Sequence, residues 1–474
     1  MSEFHTTATI PNFKGDVMTA VHPEYLKAIS RWAANAARKA KVVAFVKDAQ
    51  DVVQALQYAK ANGLPIAVRG GGHNPYGASS VEGGLVIDLS RHMNKVRVDP
   101  AKKLAYVGGG TVWETVDKES IKHGLATVAG TVNHTGVGGL ALGGGYGWLS
   151  SAHGLVIDNI LQATLVTASG SILTVNKTEN ADLYFAIRGG GGNFGVVTEF
   201  VLQLYPQRQT VYAGTVVYPA SQIVTENLAE ATEEWRQGMG ERECMMQLAT
   251  FGPDGKPIIV MFPFYNGTKA EGRERFKKLL DVGPMSDTSR EMPYEEINSL
   301  LNPTMTPGQG AYMKGLAVKH LHAPSMLRAH ERLSEIMSNS PFKIGGILYE
   351  FFGKKTKFTG AEEAAFRREK AVDNALIFLS WDQDSATKGM EDEARRVAAE
   401  LVAMVIQNQP GLTPVEALGY GNHNPDAVDI DRKGVDKVRM MFGANYPRLQ
   451  ELKQRYDPDG VFNKWFPITP ASSA

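Results

Sequence analysis

The sequence predicts an α+β chain of two domains, and three observations carry that expectation. The chain has 474 residues, above the roughly 250–300 residues at which one hydrophobic core stops growing. Many of its 49 glycines fall in four clusters, at 70–72, 108–110, 136–147 and 189–195, each beside a short β-branched segment. Beyond Pro206 the texture changes to longer helical periods separated by alternating strands.

In chain order, residues 43–46 read as a strand. Asp48 suits an N-cap for a helix with apolar positions Val52, Val53, Leu56 and Ala59, stopped by Asn62 and Gly63. A second strand at 65–68 runs straight into Gly70, Gly71 and Gly72. Strands follow at 85–89 and 104–107. Thr111 is placed to cap a helix that turns Trp113, Val116 and Ile121 inward and ends at Gly124. Strands at 163–168, 172–175 and 196–204 surround a helix over 183–187. In the second half, helices are expected over 325–337 and 391–407. Turns fall at Pro253-Asp254-Gly255 and Pro307-Gly308, and strands of one sheet at 315–319, 345–352 and 376–381. The last segment, 438–466, reads as a helix, a turn at Asp457-Pro458-Asp459-Gly460 and an extended tail. The chain is thus expected to divide into 1–207, 208–428 and 429–474.

Composition removes several functions. Fifty basic residues balance fifty acidic ones, so the field that a nucleic-acid binder needs is missing. The single Cys244 excludes an intramolecular disulfide and a multi-thiolate metal site, and reads as an inert thiol. The eleven histidines show no ligand-like pairing with carboxylates, so no metal is expected. No window reaches membrane-span length and residues 1–41 lack a signal-like apolar stretch, which points to a cytoplasmic protein with a small-molecule partner.

The glycines indicate a ligand. Glycine costs conformational entropy, so such density is expected where backbone adopts φ > 0 or approaches something closely. Converging N–H groups in such turns form a concavity suited to a pyrophosphate. One match misleads: Gly190, Gly192 and Gly195 fit G-x-G-x-x-G, but they follow a helix and precede a strand. The nicotinamide-dinucleotide motif needs the reverse order, strand then loop then helix.

The motifs together are more specific. They are Arg69-Gly70-Gly71-Gly72-His73-Asn74, then Gly136-Val137-Gly138-Gly139, then Gly143-Gly144-Gly145-Tyr146-Gly147, with Gly154-Leu155 and Asp158-Asn159 beyond. Asp182-Leu183 and the run from Arg188 to Gly195-Val196-Val197-Thr198 follow. Phe442-Gly443-Ala444-Asn445-Tyr446, Tyr456-Asp457-Pro458 and Val461-Phe462-Asn463 close the chain. This set resembles the berberine bridge enzyme-like branch of the vanillyl-alcohol oxidase and para-cresol methylhydroxylase (PCMH-type) flavoproteins. The resemblance is strong over 40–207, good over 415–470 and loose between.

That resemblance implies a PCMH-type FAD-binding domain built from both chain ends and a central substrate domain, an antiparallel sheet flanked by helices. It implies FAD bound covalently through the ring of His73 to the flavin 8α carbon. Many relatives add a second bond from the cysteine of an A-G-x-C stretch; here Ala129-Gly130-Thr131-Val132 places Val132 there, so one attachment is expected. Gly77, Gly130, Thr131 and Trp148 join the quoted motif residues as the implied cofactor cradle.

Catalysis is where the sequence departs from the family. A tyrosine that often ends a Y-x-N-Y motif as base is replaced in Tyr420-Gly421-Asn422-His423 by His423, which can take a proton near neutral pH. Glu350, inserted in an apolar strand, is costly to bury unless used, and Tyr349 beside it is a weaker candidate. Thr135 occupies the position that gates oxygen in the family and is close to valine in shape; His134 precedes it, and Tyr76 follows the His73 loop. The expected activity is an oxidase that takes a hydride from a C–H next to an alcohol or amine of a small molecule, with O2 reduced to H2O2. The alternatives are a flavin dehydrogenase or oxidative cyclase, or an idle flavin-binding protein, as monomer or homodimer.

Overall fold

The structure, a computed structural model, describes residues 8–353, 356, 363–368, 372–384, 388–414, 416–424 and 437–472. The boundary read at 428 lies outside the described residues. Three sheets carry the chain. The first orders Asp16–Met18, Val42–Phe45, Leu85–Asp88 and Ile66–Arg69, the last three parallel. Helix Ala49–Ala61 makes the crossover that parallel strands require. Asp48 caps it by accepting from the Asp51 N–H at 2.9 Å, and Val52, Val53, Leu56 and Ala59 are buried against the sheet, as the spacing predicts.

The second sheet is antiparallel, in the order Val96–Asp99, Leu104–Gly108, Val196–Gln203, Ile160–Val166 and Ile172–Asn176. Helix Trp113–Ile121 buries Trp113, Val116 and Ile121 as expected. Its cap does not follow the expectation. Thr111 stands two residues before the helix, and its hydroxyl donates to the Lys95 carbonyl at 3.4 Å instead. The Lys95 carbonyl, just before strand Val96–Asp99, captured the hydroxyl, leaving Val112 at the cap position.

Residues 210–381 form a nine-stranded sheet. Its main path runs Ser286–Asp287, Val216–Pro219, Pro257–Tyr265, Glu243–Phe251, Phe342–Phe351, Asp373–Trp381 and Gly310–Val318. All its pairings are antiparallel. Helices Gln222–Gln237, Ala323–Ser338 and Met390–Ile406 cover one face, where Leu228, Leu333 and Leu401 meet Ile347, Ile377 and Leu379. The other face turns Leu348, Leu376 and Met313 toward the glycine-rich half. A strand alternates its side chains, so neighbouring residues on Phe342–Phe351 serve different layers.

The end of the chain returns to the first half. Helix Tyr446–Tyr456 leads to a buried Lys453–Asp457 pair at 2.6 Å. The Asn193 amide then donates to the carbonyls of Trp465 (3.0 Å) and Phe466 (3.2 Å) and accepts from the Ile468 N–H at 3.1 Å. Among the described residues no helix is long and apolar enough to cross a membrane.

One contact between the halves makes folding depend on pH. Asp117, 2% exposed, accepts from Asn298 Nδ2 at 2.6 Å, and burial pushes its carboxyl up to about 7. Between the unfolded carboxyl range and pH 7 the folded state holds a proton that the unfolded state has lost. Stability from this group therefore falls as pH rises through that window, by about 1.4 kcal/mol per pH unit at most. Asp117→Asn is expected to flatten the dependence, checked by urea unfolding at pH 5 and pH 7.5.

Candidate active site

A cleft open to solvent lies between the glycine clusters and the inner face of the nine-stranded sheet. Its floor is built where strand Ile66–Arg69 ends. The loop turns at Gly72 (φ +71°), and Gly71 and Gly136 meet backbone to backbone. A Cβ on Gly71 would lie 2.5 Å from the Gly136 Cα, and one on Gly136 2.4 Å from the Gly71 nitrogen. Either side chain would push the two loops apart. At Gly139 and Gly192 an added Cβ would meet nothing within 4 Å, because these glycines face the open cleft.

His73 stands at the end of this loop. Its ring stacks on Trp32 with centroids 4.3 Å apart and planes at 17°, and its Nε2 lies 3.2 Å from His134 Nδ1. Burial, and secondly the neighbouring His134, push its pKa down to about 3, so the ring is neutral at physiological pH. Burial also lowers His134. The cleft is also lined by Glu350, 4% exposed, with Oε2 lacking a hydrogen-bond partner. Burial pushes the carboxyl up to about 7, with the Asn374 side chain pulling the other way. His423 also lines the cleft; its Nδ1 is unpartnered and burial pushes it down to about 4. Beside it the Tyr420 hydroxyl accepts from the Gly145 N–H (2.8 Å) and Asn422 Nδ2 (2.6 Å).

The structure brings together on the cleft wall Gly70, Gly71, Gly72, His73, Asn74, Thr131, Thr135, Gly136, Gly138, Gly139, Tyr146, Gly195, Val196, Val197, Glu350 and His423. Val132 lines it too. Other expected residues stand behind it. Arg69 points away, donating to Asp88 (3.2 Å) and the Ala28 carbonyl (2.9 Å). Gly130 backs onto Leu140 and Trp113, and a Cβ on Gly147 would strike the Ala129 carbonyl at 1.8 Å. Gly143 packs on Asn422, Gly144 on Phe366, and Gly145 on Val156. Gly77 makes a positive-φ turn (+88°) beyond the loop, and Trp148 packs on Phe264. Asp158 pairs with Arg368, and Asn159 ties the His153 and Leu155 carbonyls to the Tyr205 hydroxyl. Asn445 donates to the carbonyls of Ala364 and Ala365, each at 3.2 Å, and Tyr446 stacks on Phe442.

Tyr349 is a correction. It faces the helix-covered layer with Ile347 and Phe351, its hydroxyl buried without a partner, because the pleat that sends Glu350 into the cleft sends Tyr349 the other way. Tyr76 bridges the halves instead of lining the cleft, its hydroxyl accepting from the Met313 N–H at 2.9 Å. Cys244 is buried against the Trp148 carbonyl with its thiol pushed up by burial, an unreactive setting. Sequence reasoning missed Trp32, Lys464 and Trp465. The last two line the cleft directly after the motif residue Asn463, and that adjacency was the available signal.

Family models agree with this geometry: an FAD binding domain matches residues 40–176, and a "berberine and berberine like" model matches 424–468. The FAD-linked oxidoreductase pgmH of Aspergillus terreus is 32% identical, covering 95% of this chain and 92% of that one. The chain belongs to the berberine-like FAD-linked oxidoreductases. The (R)-6-hydroxynicotine oxidase of Paenarthrobacter nicotinovorans is 29% identical over 98% of this chain and 99% of its own. A crystal structure of 6-hydroxy-D-nicotine oxidase from Arthrobacter nicotinovorans superposes with a TM-score of 0.87 at 27% identity, covering 98% of this chain and 100% of that one. This berberine-like oxidoreductase therefore has the PCMH-type fold. Its residues fit FAD: open glycines at 139 and 192 leave a cradle that Cβ atoms would narrow, and unpartnered polar atoms of Glu350 and His423 face the same space.

Proposed function

We propose that the protein is an oxidase holding FAD through one covalent bond to His73, acting on a C–H next to an alcohol or amine of a small molecule and passing electrons to O2 to give H2O2. The observation that carries it is the neutral His73 ring at the end of the glycine loop, in one cleft with Glu350 and His423. The nicotine-oxidase relative, named an oxidase, supports the oxygen reaction. Thr135 on the cleft wall, close to valine in shape, does so as well.

FAD, when bound, supplies a two-electron acceptor for the hydride. The chain supplies the rest. Glu350 takes the proton from the substrate hydroxyl or amine, since a proton acceptor works best with a pKa near the operating pH, and its own is pushed to about 7. His423, neutral at that pH, offers Nδ1 to orient the substrate hydrogen bond. Leu348, Leu376, Met305 and Met313 form an apolar wall that favours a substrate with little charge beyond the reacting group.

The test is acid precipitation of the purified protein, followed by spectroscopy, peptide mass analysis and substrate screening. A yellow pellet with flavin mass on the His73 peptide, and substrate bleaching reversed by air with peroxide released, are the expected results. A colourless pellet overturns the linkage. Bleaching without peroxide makes the protein a dehydrogenase, and bleaching by no substrate makes it an idle flavin carrier.

A further inference from the structure

The pairing of His73 with His134 has a use that substrate oxidation does not require. We propose that His134 is the proton acceptor that lets His73 attach to the flavin, orienting the His73 ring and taking its Nε2 proton as the bond forms at Nδ1. This rests on the His73 linkage proposed above.

The geometry supports it in three ways. His73 Nε2 is already engaged, 3.2 Å from His134 Nδ1. The ring is held flat: Trp32 stacks on it at 4.3 Å, and the His134 ring centroid is 5.1 Å away at 28°. His134 itself sits on a pinned segment. The Trp113 N–H donates to the Thr135 carbonyl (3.1 Å), the Glu114 N–H to the Asn133 carbonyl (2.8 Å), and the Asn133 N–H to the Asn298 carbonyl (2.8 Å).

The chemistry balances as follows. A bond forms between His73 Nδ1 and the flavin 8α carbon, whose methyl group gives up one proton to solvent. His73 Nε2–H, made acidic by the new bond, passes its proton to His134 Nδ1. The electron pair released stays in the isoalloxazine, which is left reduced by two electrons. Dioxygen, the acceptor already used in turnover, takes that pair and the two protons and leaves as hydrogen peroxide. Burial keeps both imidazoles neutral beforehand, so His73 has a free lone pair and His134 a free site for the proton.

The experiment uses full-length apoprotein made in riboflavin-starved cells and mixed with FAD in air, with acid-stable flavin followed over time. Wild type is expected to become acid-stable. His134→Ala is expected to bind FAD but attach it about 10²-fold more slowly, the scale of a lost proton acceptor, with added imidazole restoring much of the rate. His134→Asn keeps a short polar side chain beside His73 and is expected to attach as slowly as the alanine variant. It decides the matter if alanine leaves the pocket unformed. Attachment at the wild-type rate in either FAD-binding variant, or slow attachment that imidazole does not restore, overturns the role of His134. Failure of wild type to attach overturns the linkage itself, a distinct result.

Discussion

Glu350→Gln is expected to lower turnover by about 10²- to 10⁴-fold, a loss of about 3–5 kcal/mol in transition-state stabilisation, with flavin content unchanged. Gln keeps the shape and removes the proton acceptor. The sign of the pH effect is fixed by the raised pKa: only the ionised carboxylate accepts a proton, and its fraction grows as pH passes about 7. Wild-type kcat/KM should therefore climb about tenfold per pH unit below that value and level off above it, while the variant loses that limb. Steady-state kinetics from pH 5.5 to 9 checks both. A limb that survives in Glu350→Gln assigns the base to another group, and His423→Ala is the next variant to measure.

His73→Ala is expected to change what kind of complex the protein makes. A tethered cofactor cannot dissociate, so added FAD should leave the wild-type melting temperature where it is. Without the tether, binding stabilises only through free ligand, by about 2.7 kcal/mol at 100 times Kd. The variant's melting temperature should then rise with added FAD, its flavin should pass entirely into the acid supernatant, and dialysis should bleach it. Differential scanning fluorimetry with and without FAD reads the first effect. A variant whose flavin stays in the acid pellet places the linkage elsewhere.

Much of this site was legible because it is made of backbone. Gly71 and Gly136 have to be glycine where two chains touch, and that necessity leaves clusters visible in the sequence. The helix opened by Asp48 was equally readable, since cap and apolar spacing agree locally. Glu350 stood out as a carboxylate in an apolar strand, but Tyr349 could be separated from it only by knowing which face of the sheet meets the cleft. Thr111 was misread because Lys95, 16 residues earlier and just ahead of a strand, offered its hydroxyl a carbonyl. Trp32 left no signal at all: it matters through a partner 41 positions away, and nothing in Arg31-Trp32-Ala33 indicates a ring stacked on His73.

The return of the chain end has a consequence for how the protein is made. Asn193 clamps the carbonyls of Trp465 and Phe466, and Lys464 and Trp465 form part of the cleft wall. A ribosome exposes the chain from its N-terminus, and early segments fold while later ones are still being built. His73, Gly136 and Gly192 can therefore be in place long before the wall that faces them. A half-made polypeptide has only part of the cleft, which is completed once residues 464–468 have emerged and docked on Asn193.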